Sequence, residues 1–177
     1  FSPKPLSDKP GNGFHINMSV KPCTASENLC YMIAGVLDKI PEITAFLNPT
    51  QASYERFGKS KAPAYISWSS ENRSQLVRIP AAIGEYRRAE LRSPDPTANP
   101  YLAFTLMIYA GLYGIAHQLD LPPAANFNLY HADAKTLQQF SKLPTSMQEA
   151  AQIAAASTFV KAHIPEKILN LYCKECM

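Results

Sequence analysis

The chain is poor in cysteine, which limits the chemistry that it can carry. Four cysteines in 177 residues are too few for a disulfide framework. Cys173 and Cys176 form a CxxC pair, but a redox motif of this kind stands at the start of a helix that follows a strand, and a zinc site needs a second pair of ligands. The sequence therefore predicts reduced thiols on a fraying terminal helix and a cytoplasmic protein.

The chain also lacks an apolar segment long enough to span a bilayer. Its longest apolar stretch, Tyr101–Ala116, has 16 residues and contains Gly111 and Gly114. A stretch of this length predicts a helix buried in a protein core. Residues 1–5 carry no apolar core of a signal peptide, so we expect no membrane association.

A strong excess of charge of either sign is missing as well. The net formal charge is +3 and only 18% of the residues are charged. The arginines stand in predicted strands rather than in a basic run, so a nucleic-acid partner is not expected. A hydrophobic content of 46% and a length of 177 residues allow one domain with a substantial core.

The most informative segment that is present is Arg88–Arg92, in which charged and apolar residues alternate. In a strand, this alternation puts Arg88, Glu90 and Arg92 on one face and the two apolar residues on the other. The segment leads directly into a proline-rich turn and an apolar helix, so we expect the strand to lie against the core. Its charged face then indicates a polar cavity for anions and a metal ion; an exposed ladder of salt bridges is the alternative.

Residues 11–20 repeat this alternation after a glycine-rich entry. The pattern places His15, Asn17 and Ser19 on one face of a strand, and glycine at the entry lets the backbone approach a ligand closely. A lone histidine beside an asparagine is more often a structural residue, so this segment is informative only in combination with others.

Residues 64–80 contain two short predicted strands around a polar turn. Arg73 lies in the turn and Arg78 lies within the second strand. Arginines in strands that otherwise look like core are unfavourable unless they pair with a carboxylate or a phosphate. The three segments together predict a cavity that binds anionic ligands.

The order of elements predicts an α+β fold in which a curved, mainly antiparallel sheet is backed by helices. A capping box at Thr24–Glu27 predicts a first helix, which Pro41 breaks or kinks. A second capping box at Ser146–Glu149 predicts a helix to about residue 163, and Pro165 starts a short final helix. The predicted strands are 13–20, 64–69, 75–79 and 86–92, with a buried helix at 98–119 on the side of the sheet opposite to the cavity. One domain, 1–177, is expected, with the motifs in 1–130 and a helical segment in 131–177.

Four strings resemble the signature series of glutamine synthetase. They are PKPLSDKPGNGFHINMS (3–19), NPTQASYERF (48–57), ISWSSENRSQLVRIP (66–80) and RAELRSPDPTANPYLAF (88–104). The resemblance implies the C-terminal part of the catalytic domain. It also implies that the N-terminal β-grasp domain and the first half of the catalytic domain of that family are absent.

This resemblance implies a ligase that joins ammonia to glutamate with ATP through γ-glutamyl phosphate, using Mg²⁺ or Mn²⁺. It also implies assembly in stacked rings whose sites are completed by neighbouring subunits. The resemblance implies that His15 and Glu90 bind the metal. It implies that ATP and its phosphates are bound by Asn17, Ser19, Arg73, Arg78 and Arg88, of which Arg73 is also catalytic. Glutamate would be bound by Gly11, Arg56 and Arg92.

The chain departs from the family pattern at two positions. Lys61 stands where the family has a catalytic loop glutamate that helps to form the ammonium pocket, and Pro10 replaces an asparagine. Only one carboxylate of the metal cage is present. Two hypotheses therefore stand: part of a ligase that needs its missing N-terminal half, or a non-catalytic remnant that binds nucleotides or anions or acts by association. Exposed sheet edges and apolar surface lead us to expect self-association.

Overall fold

The computed structural model describes residues 1–21, 26–82 and 86–174. Cys23, Cys176 and the first two residues of the predicted capping box Thr24–Glu27 lie outside these ranges. The strands are β1 (Ile16–Met18), β2 (Trp68–Ser69), β3 (Val77–Arg78) and β4 (Ala89–Leu91). The helices are α1 (Ser26–Leu47), α2 (Gln51–Tyr54), α3 (Pro100–Ala116), α4 (Ala134–Leu137), α5 (Met147–Ala156), α6 (Thr158–His163) and α7 (Glu166–Lys174), with a 3-10 turn at Leu129–His131.

The four strands form one sheet in the order β1-β4-β3-β2. The pairs β1–β4 and β3–β4 are antiparallel, whereas β2 and β3 are parallel. The predicted α+β fold with a mainly antiparallel sheet is therefore confirmed. Between β2 and β3 the chain turns at Ser69, whose Oγ accepts hydrogen bonds from the backbone N–H groups of Glu71 and Asn72, and it runs back alongside β2 before β3 begins.

The strands are shorter than predicted, because each pairs with its neighbour over only two or three residues. The predicted strand 64–69 also divides between two partners. Only Trp68–Ser69 joins the sheet, while the preceding residues pair with a later segment through Tyr65 and Lys142. Alternation in a sequence marks extended backbone, but only the tertiary structure decides which extended residues find a partner.

Helix α1 provides the centre of the core. Ile33, Val36, Ile40, Ile43 and Phe46 are all fully buried. The helix runs unbroken through its internal proline, so of the two predicted effects of Pro41 the break is wrong, and the kink stays a prediction. Apolar residues on both sides of the proline pack into the same core, and this burial outweighs the single backbone hydrogen bond that proline removes.

Helix α3 packs against α1 where both helices carry glycine. A Cβ on Gly114 would lie 2.0 Å from the carbonyl oxygen of Tyr31, and one on Gly35 would lie 2.2 Å from that of Ala110. Because no side chain separates them, the two helix backbones touch. The start of α3 is fixed by Asn99, whose side chain accepts a hydrogen bond from Tyr101 N–H at 3.0 Å.

The face of α3 that points away from α1 is exposed, so the prediction of a buried helix is wrong on this side. Ile108 and Leu112 are 60% and 52% exposed. Ala103, Leu106 and Met107 are buried on the opposite face. An all-apolar helix carries no sequence signal of which face is covered.

The two faces of the sheet differ in chemistry. Ile16, Val77 and Leu91 are register partners on one face and belong to the same core cluster as α1 and α3. The helices therefore back the apolar side of the sheet, as predicted. The polar side chains of the strands lie on the other face.

The C-terminal helices follow the prediction except at one break. Ser146 caps α5 by accepting the Glu149 N–H at 3.1 Å. Where one helix to about residue 163 was predicted, Ser157 ends α5 and caps α6, and its hydroxyl also donates to Glu42 on α1. Cys173 is buried in α7 rather than on a fraying end. Within the described ranges, no helix has the length and hydropathy needed to cross a bilayer.

Candidate functional site

The polar face of the sheet places three side chains in one row. Antiparallel pairing sets Glu90 of β4 opposite Asn17 of β1 and opposite Arg78 of β3. Cross-strand partners project from the same face, so these three side chains are neighbours. The predicted convergence of the three motif segments on one face is thus present in the structure.

Glu90 is the centre of a cluster of charged side chains. One carboxylate oxygen lies 3.3 Å from His15 Nδ1. The other accepts hydrogen bonds from Arg92 Nη1 at 3.0 Å and from Arg78 Nη1 at 3.4 Å. Burial alone raises the pKa of Glu90, but the hydrogen bond and charge of Arg92 outweigh it, together with His15 and Arg78, so the pKa lies below its ordinary value. Glu90 is therefore an anion at neutral pH.

His15 is neutral at neutral pH. Burial, followed by the charge of Arg92, holds its pKa below the ordinary value of 6.5, although Glu90 opposes both effects. In the neutral ring Nδ1–H can donate to Glu90, which leaves the lone pair of Nε2 available. Nε2 faces the glycine-rich entry: a Cβ on Gly13 would lie 2.9 Å from it.

The depressed pKa of His15 predicts how stability changes with pH. The folded protein binds a proton on His15 less readily than the unfolded chain does, so stability is lost as the pH falls below about 6.5. The depressed pKa of Glu90 acts in the same direction, but only below its ordinary value of 4.5. We expect the unfolding temperature of the wild type to fall more between about pH 7.5 and 5.5 than that of His15→Gln.

Thermal unfolding followed by circular dichroism at both pH values measures this difference. His131→Gln is the matched control, because His131 is exposed and outside the cluster. The control should keep the pH dependence of the wild type. If His15→Gln also keeps it, the imidazole does not lie buried between Glu90 and Arg92.

Arg92 connects the cluster to the segment that contains Lys61. Its Nη2 donates to the backbone oxygen of Lys61 at 3.4 Å, while the Lys61 side chain is exposed.

Arg92 Nε and the Tyr130 hydroxyl are both buried without a hydrogen-bond partner among the described residues. Burial raises the pKa of Tyr130 to about 12 against the opposing charge of Arg92, so its hydroxyl is a permanent donor.

Arg56 lies beneath the cluster and is 3% exposed. Its Nη1 donates to the Ser93 backbone oxygen at 3.0 Å and lies 3.8 Å from the Asp95 carboxylate. Asp95 also accepts from Asn48 Nδ2 at 2.9 Å and from Thr97 N–H at 2.9 Å. Sequence reasoning missed Asp95 as the counterion of Arg56; the signal available was that a buried arginine requires a carboxylate.

Gly11 lies directly over Arg56. A Cβ on Gly11 would come within 2.4 Å of the Pro3 backbone oxygen and 2.7 Å of Arg56 Cγ. The structure thus shows a packing reason for glycine here. The predicted contacts of Gly11, Arg56 and Arg92 with glutamate stay predictions.

Arg88 and Ser19 lie at the margin of the cluster, whereas Arg73 lies apart from it. Arg88 Nε donates to Asn17 Oδ1 at 3.1 Å, which places both at the edge formed by β1. Ser19 is exposed beside them. Arg73 is exposed in the turn before β3 and has no hydrogen bond or ion pair with any residue of the described ranges. Among those ranges, Arg73 is therefore the one predicted phosphate-binding arginine that the structure does not join to the others.

The described residues alone do not make a site for a divalent metal. Among residues 1–21, 26–82 and 86–174, no three histidine, cysteine or carboxylate side chains lie close enough together to hold a metal ion. His15 Nε2 is available, but one oxygen of Glu90 is shared between two guanidinium groups. Mg²⁺ prefers a shell of about six oxygens, so a metal here requires ligands from elsewhere.

Comparison with known proteins gives matches over nearly the whole chain. The family model for the catalytic domain of glutamine synthetase matches residues 1–175. The glutamine synthetase of Methanosarcina mazei is 41% identical over 187 aligned positions, which cover 97% of this chain and 42% of the relative. That of Thermotoga maritima is 38% identical over 167 positions, covering 86% of this chain and 38% of the relative. The chain spans about two fifths of the length of these relatives.

A solved structure of a GmaS/ADP complex has the same fold. It superposes with a TM-score of 0.84 at 27% sequence identity. The match covers 99% of this chain and 44% of the other. More than half of that protein therefore lies outside the matched region.

Proposed function

The chain belongs to the glutamine synthetase family, and from that premise we propose that it is the C-terminal catalytic part of an ATP-dependent glutamate–ammonia ligase. The proposal includes ATP, glutamate and ammonia as substrates. Family members use ATP and divalent metal ions, and the ADP of the similar GmaS/ADP complex supports nucleotide binding. The whole activity needs the part of the relatives that this chain does not span.

The observation that carries the proposal is the arrangement of arginines around Glu90. Arg78 and Arg92 each use Nη1 on the carboxylate, and each makes one further hydrogen bond to a backbone oxygen, Arg78 Nε to Glu71 and Arg92 Nη2 to Lys61. Arg92 Nε has no acceptor among the described residues, so the two fixed guanidiniums keep donor capacity for a ligand. Phosphate and carboxylate oxygens fit such donors, because guanidinium groups bind them with paired hydrogen bonds. Cations held rigidly in this way can stabilise the charge that develops during phosphoryl transfer.

We propose that His15 and Glu90 provide two ligands of a metal site whose other ligands come from the upstream part of the protein. Neutral His15 has the free lone pair that a metal ligand needs, and its Nδ1 contact with Glu90 would orient the ring. The bound metal would neutralise charge on the nucleotide phosphates. In the same proposal Asn17, Ser19, Arg73 and Arg88 contact ATP.

The chain by itself is expected to be catalytically inactive. The cluster brings together only one imidazole and one shared carboxylate, and no other group among the described residues could hold the ions that phosphoryl transfer requires. Phosphate release in the presence of ATP, glutamate, ammonia and Mn²⁺ should therefore equal the background. Turnover above background that disappears in Glu90→Ala would show that the isolated chain is an enzyme.

The complementary experiment tests the ligase proposal itself. The chain is joined to the part of the Methanosarcina mazei relative that precedes the matched region, and glutamine formation is measured. Glu90→Ala should remove any activity, while Glu71→Ala is the matched control because Glu71 is exposed in a turn. Loss of activity in both variants would argue against a specific role of the cluster.

A non-catalytic remnant is the second candidate function. Lys61 and Pro10, which replace two residues of the family site, favour it. Under this proposal the arginine cluster still binds nucleotides or anions, but no substitution restores glutamine formation in the joined protein. ATP binding measured by calorimetry on the joined protein, together with the absence of turnover, would identify it.

A further inference from the structure

Two buried donors of the candidate site have no acceptor. Arg92 Nε and the Tyr130 hydroxyl are both enclosed, and neither has a hydrogen-bond partner among the described residues. A buried donor that stays unpaired is unfavourable, and native proteins contain few of them. Two such donors in one region of the site therefore indicate where an acceptor from a ligand binds.

Tyr130 and Arg92 border the same turn of the chain. Arg92 Nη2 donates to the Lys61 backbone oxygen at 3.4 Å. Tyr130 lines a cavity of about 240 Å³ whose wall includes Gly58 and Ala64, one on each side of that lysine in the sequence. Burial raises the pKa of Tyr130 to about 12 and the charge of Arg92 opposes this effect, so the phenol lies within electrostatic reach of the guanidinium. The two unpaired donors therefore lie in one region.

The fold holds Tyr130 in place through the segment that carries it. Tyr130 is the middle residue of the 3-10 turn Leu129–His131, and the first N–H of this turn donates to Ser74 Oγ at 3.0 Å. Just before the turn, the Phe127 backbone oxygen accepts a hydrogen bond from Nε2 of the fully buried Gln75 at 2.8 Å. A side chain supported in this way is already placed before a ligand arrives, which reduces the entropy lost on binding.

The charge of the cluster favours an anion as the acceptor. Arg78 and Arg92 both pair with the carboxylate of Glu90, while His15 is neutral at neutral pH. Two guanidinium groups against one carboxylate leave one positive charge without a counterion in the part of the chain that the structure describes. A largely buried charge of this kind is unfavourable unless it is paired. A carboxylate would supply both the missing negative charge and the oxygen, whereas a water molecule would supply only the oxygen.

This inference rests on the proposed function and names a further residue of its substrate site. We propose that Tyr130 is a substrate-binding residue, whose hydroxyl donates together with Arg92 Nε to one carboxylate of the amino-acid substrate. The guanidinium supplies the charge that attracts the carboxylate. The phenol adds a second donor without adding charge, so it fixes the position of the carboxylate and keeps the charges balanced.

The test measures glutamate binding to the joined protein by calorimetry, with saturating ADP so that no phosphoryl transfer occurs. Tyr130→Phe removes the hydroxyl and keeps the ring in the cavity. We expect it to weaken glutamate binding about tenfold, because one hydrogen bond to a charged group is lost, and to leave ADP binding unchanged. Tyr65→Phe is the matched control, because Tyr65 lines the same cavity but its ring faces the Lys142 ammonium at 5.9 Å. The control should bind glutamate as the unchanged protein does.

A double-mutant cycle separates this contact from a purely structural effect. Ser74→Ala removes the acceptor that holds the turn carrying Tyr130, so it should weaken glutamate binding about threefold when the tyrosine is present. In the Tyr130→Phe background the same change should have no further effect, because the hydroxyl that it would displace is already absent. Effects that simply add would show that the turn does not act through this hydroxyl, and they would overturn the inference.

Failure of this inference and failure of the proposed function give different results. Glutamate bound equally well with and without the Tyr130 hydroxyl would overturn the inference, identify water as the acceptor and leave the ligase proposal intact. A joined protein that binds aspartate instead of glutamate, more weakly in Tyr130→Phe, and forms no glutamine would support the inference and argue against the proposed function. If neither amino acid binds, the inference is overturned.

Discussion

We expect Lys61→Glu to raise the rate of glutamine formation at least about 100-fold. The comparison is made with the chain joined to the upstream part of an active relative. The resemblance implies that the family has a glutamate at this position, which would help to form the ammonium pocket and take up a proton. In the proposed ligase a lysine there would place a cation where a cationic substrate binds, and a carboxylate would reverse this repulsion.

The structure explains why this position is coupled to the cluster. The Lys61 backbone oxygen accepts a hydrogen bond from Arg92, which in turn holds Glu90. The turn around it is compact, since Gly58 N–H donates to the Ala62 oxygen at 3.1 Å. A new carboxylate at position 61 therefore starts from a backbone already attached to the site.

Initial rates of glutamine formation at saturating ATP measure the effect. Lys61→Gln separates the two contributions, because it removes the positive charge without adding a proton acceptor, and it should give an intermediate rate. Lys59→Glu is the matched control, since Lys59 is an exposed lysine of the same turn. Equal rates for Lys61 and Lys61→Glu would mean that the loop alignment is wrong, or that ammonia enters uncharged and needs no base.

Gly114→Ala is expected to lower the free energy of unfolding by about 3 kcal/mol, although alanine favours helices. The new methyl group would lie 2.0 Å from the Tyr31 backbone oxygen and 2.6 Å from Gly35 N. Both contacts are with backbone atoms of α1, which cannot move aside without separating the two helices. The core between α1 and α3 would then lose packing.

Gly111→Ala on the same helix is the matched control. A Cβ there would lie 2.8 Å from Met32 Cγ, a flexible side chain that can adopt another rotamer. The gain in helix propensity, about 1 kcal/mol, should offset most of that cost. Urea unfolding of both variants measures the difference, and equal stabilities would show that the helices do not cross at Gly114.

The core of the candidate site was predictable because strand alternation is a local property. Once residues 11–20 and Arg88–Arg92 are read as strands, the period of two places His15 and Glu90 on definite faces whatever the rest of the fold is. Their side chains are 3.3 Å apart in the structure. The same pattern did not show that Arg73 lies apart from the Glu90 cluster, because alternation assigns a face only to residues in a strand and Arg73 is in a turn.

Other features depended on partners distant in the chain. The need of a buried Arg56 for a carboxylate did not identify Asp95 among the carboxylates of the chain, because the two residues are far apart in sequence and only the fold brings them to 3.8 Å. The predicted strands are too long for the same reason. A strand ends where its hydrogen-bonded partner strand ends, and that partner is distant in the sequence. The continuity of α1 through Pro41 likewise depends on core contacts that outweigh a local preference.

The sequence by itself determined the family, the α+β class and the polar face of the sheet, because motif strings and strand alternation are local and survive without knowledge of contacts. Only the tertiary structure decided the pairing partners of each strand, the buried Arg56–Asp95 pair and the side of α3 that remains exposed. An apolar helix looks the same in sequence whether one face or both are covered. Whether a helix face is covered depends on the elements that pack against it, and the fold decides which elements those are.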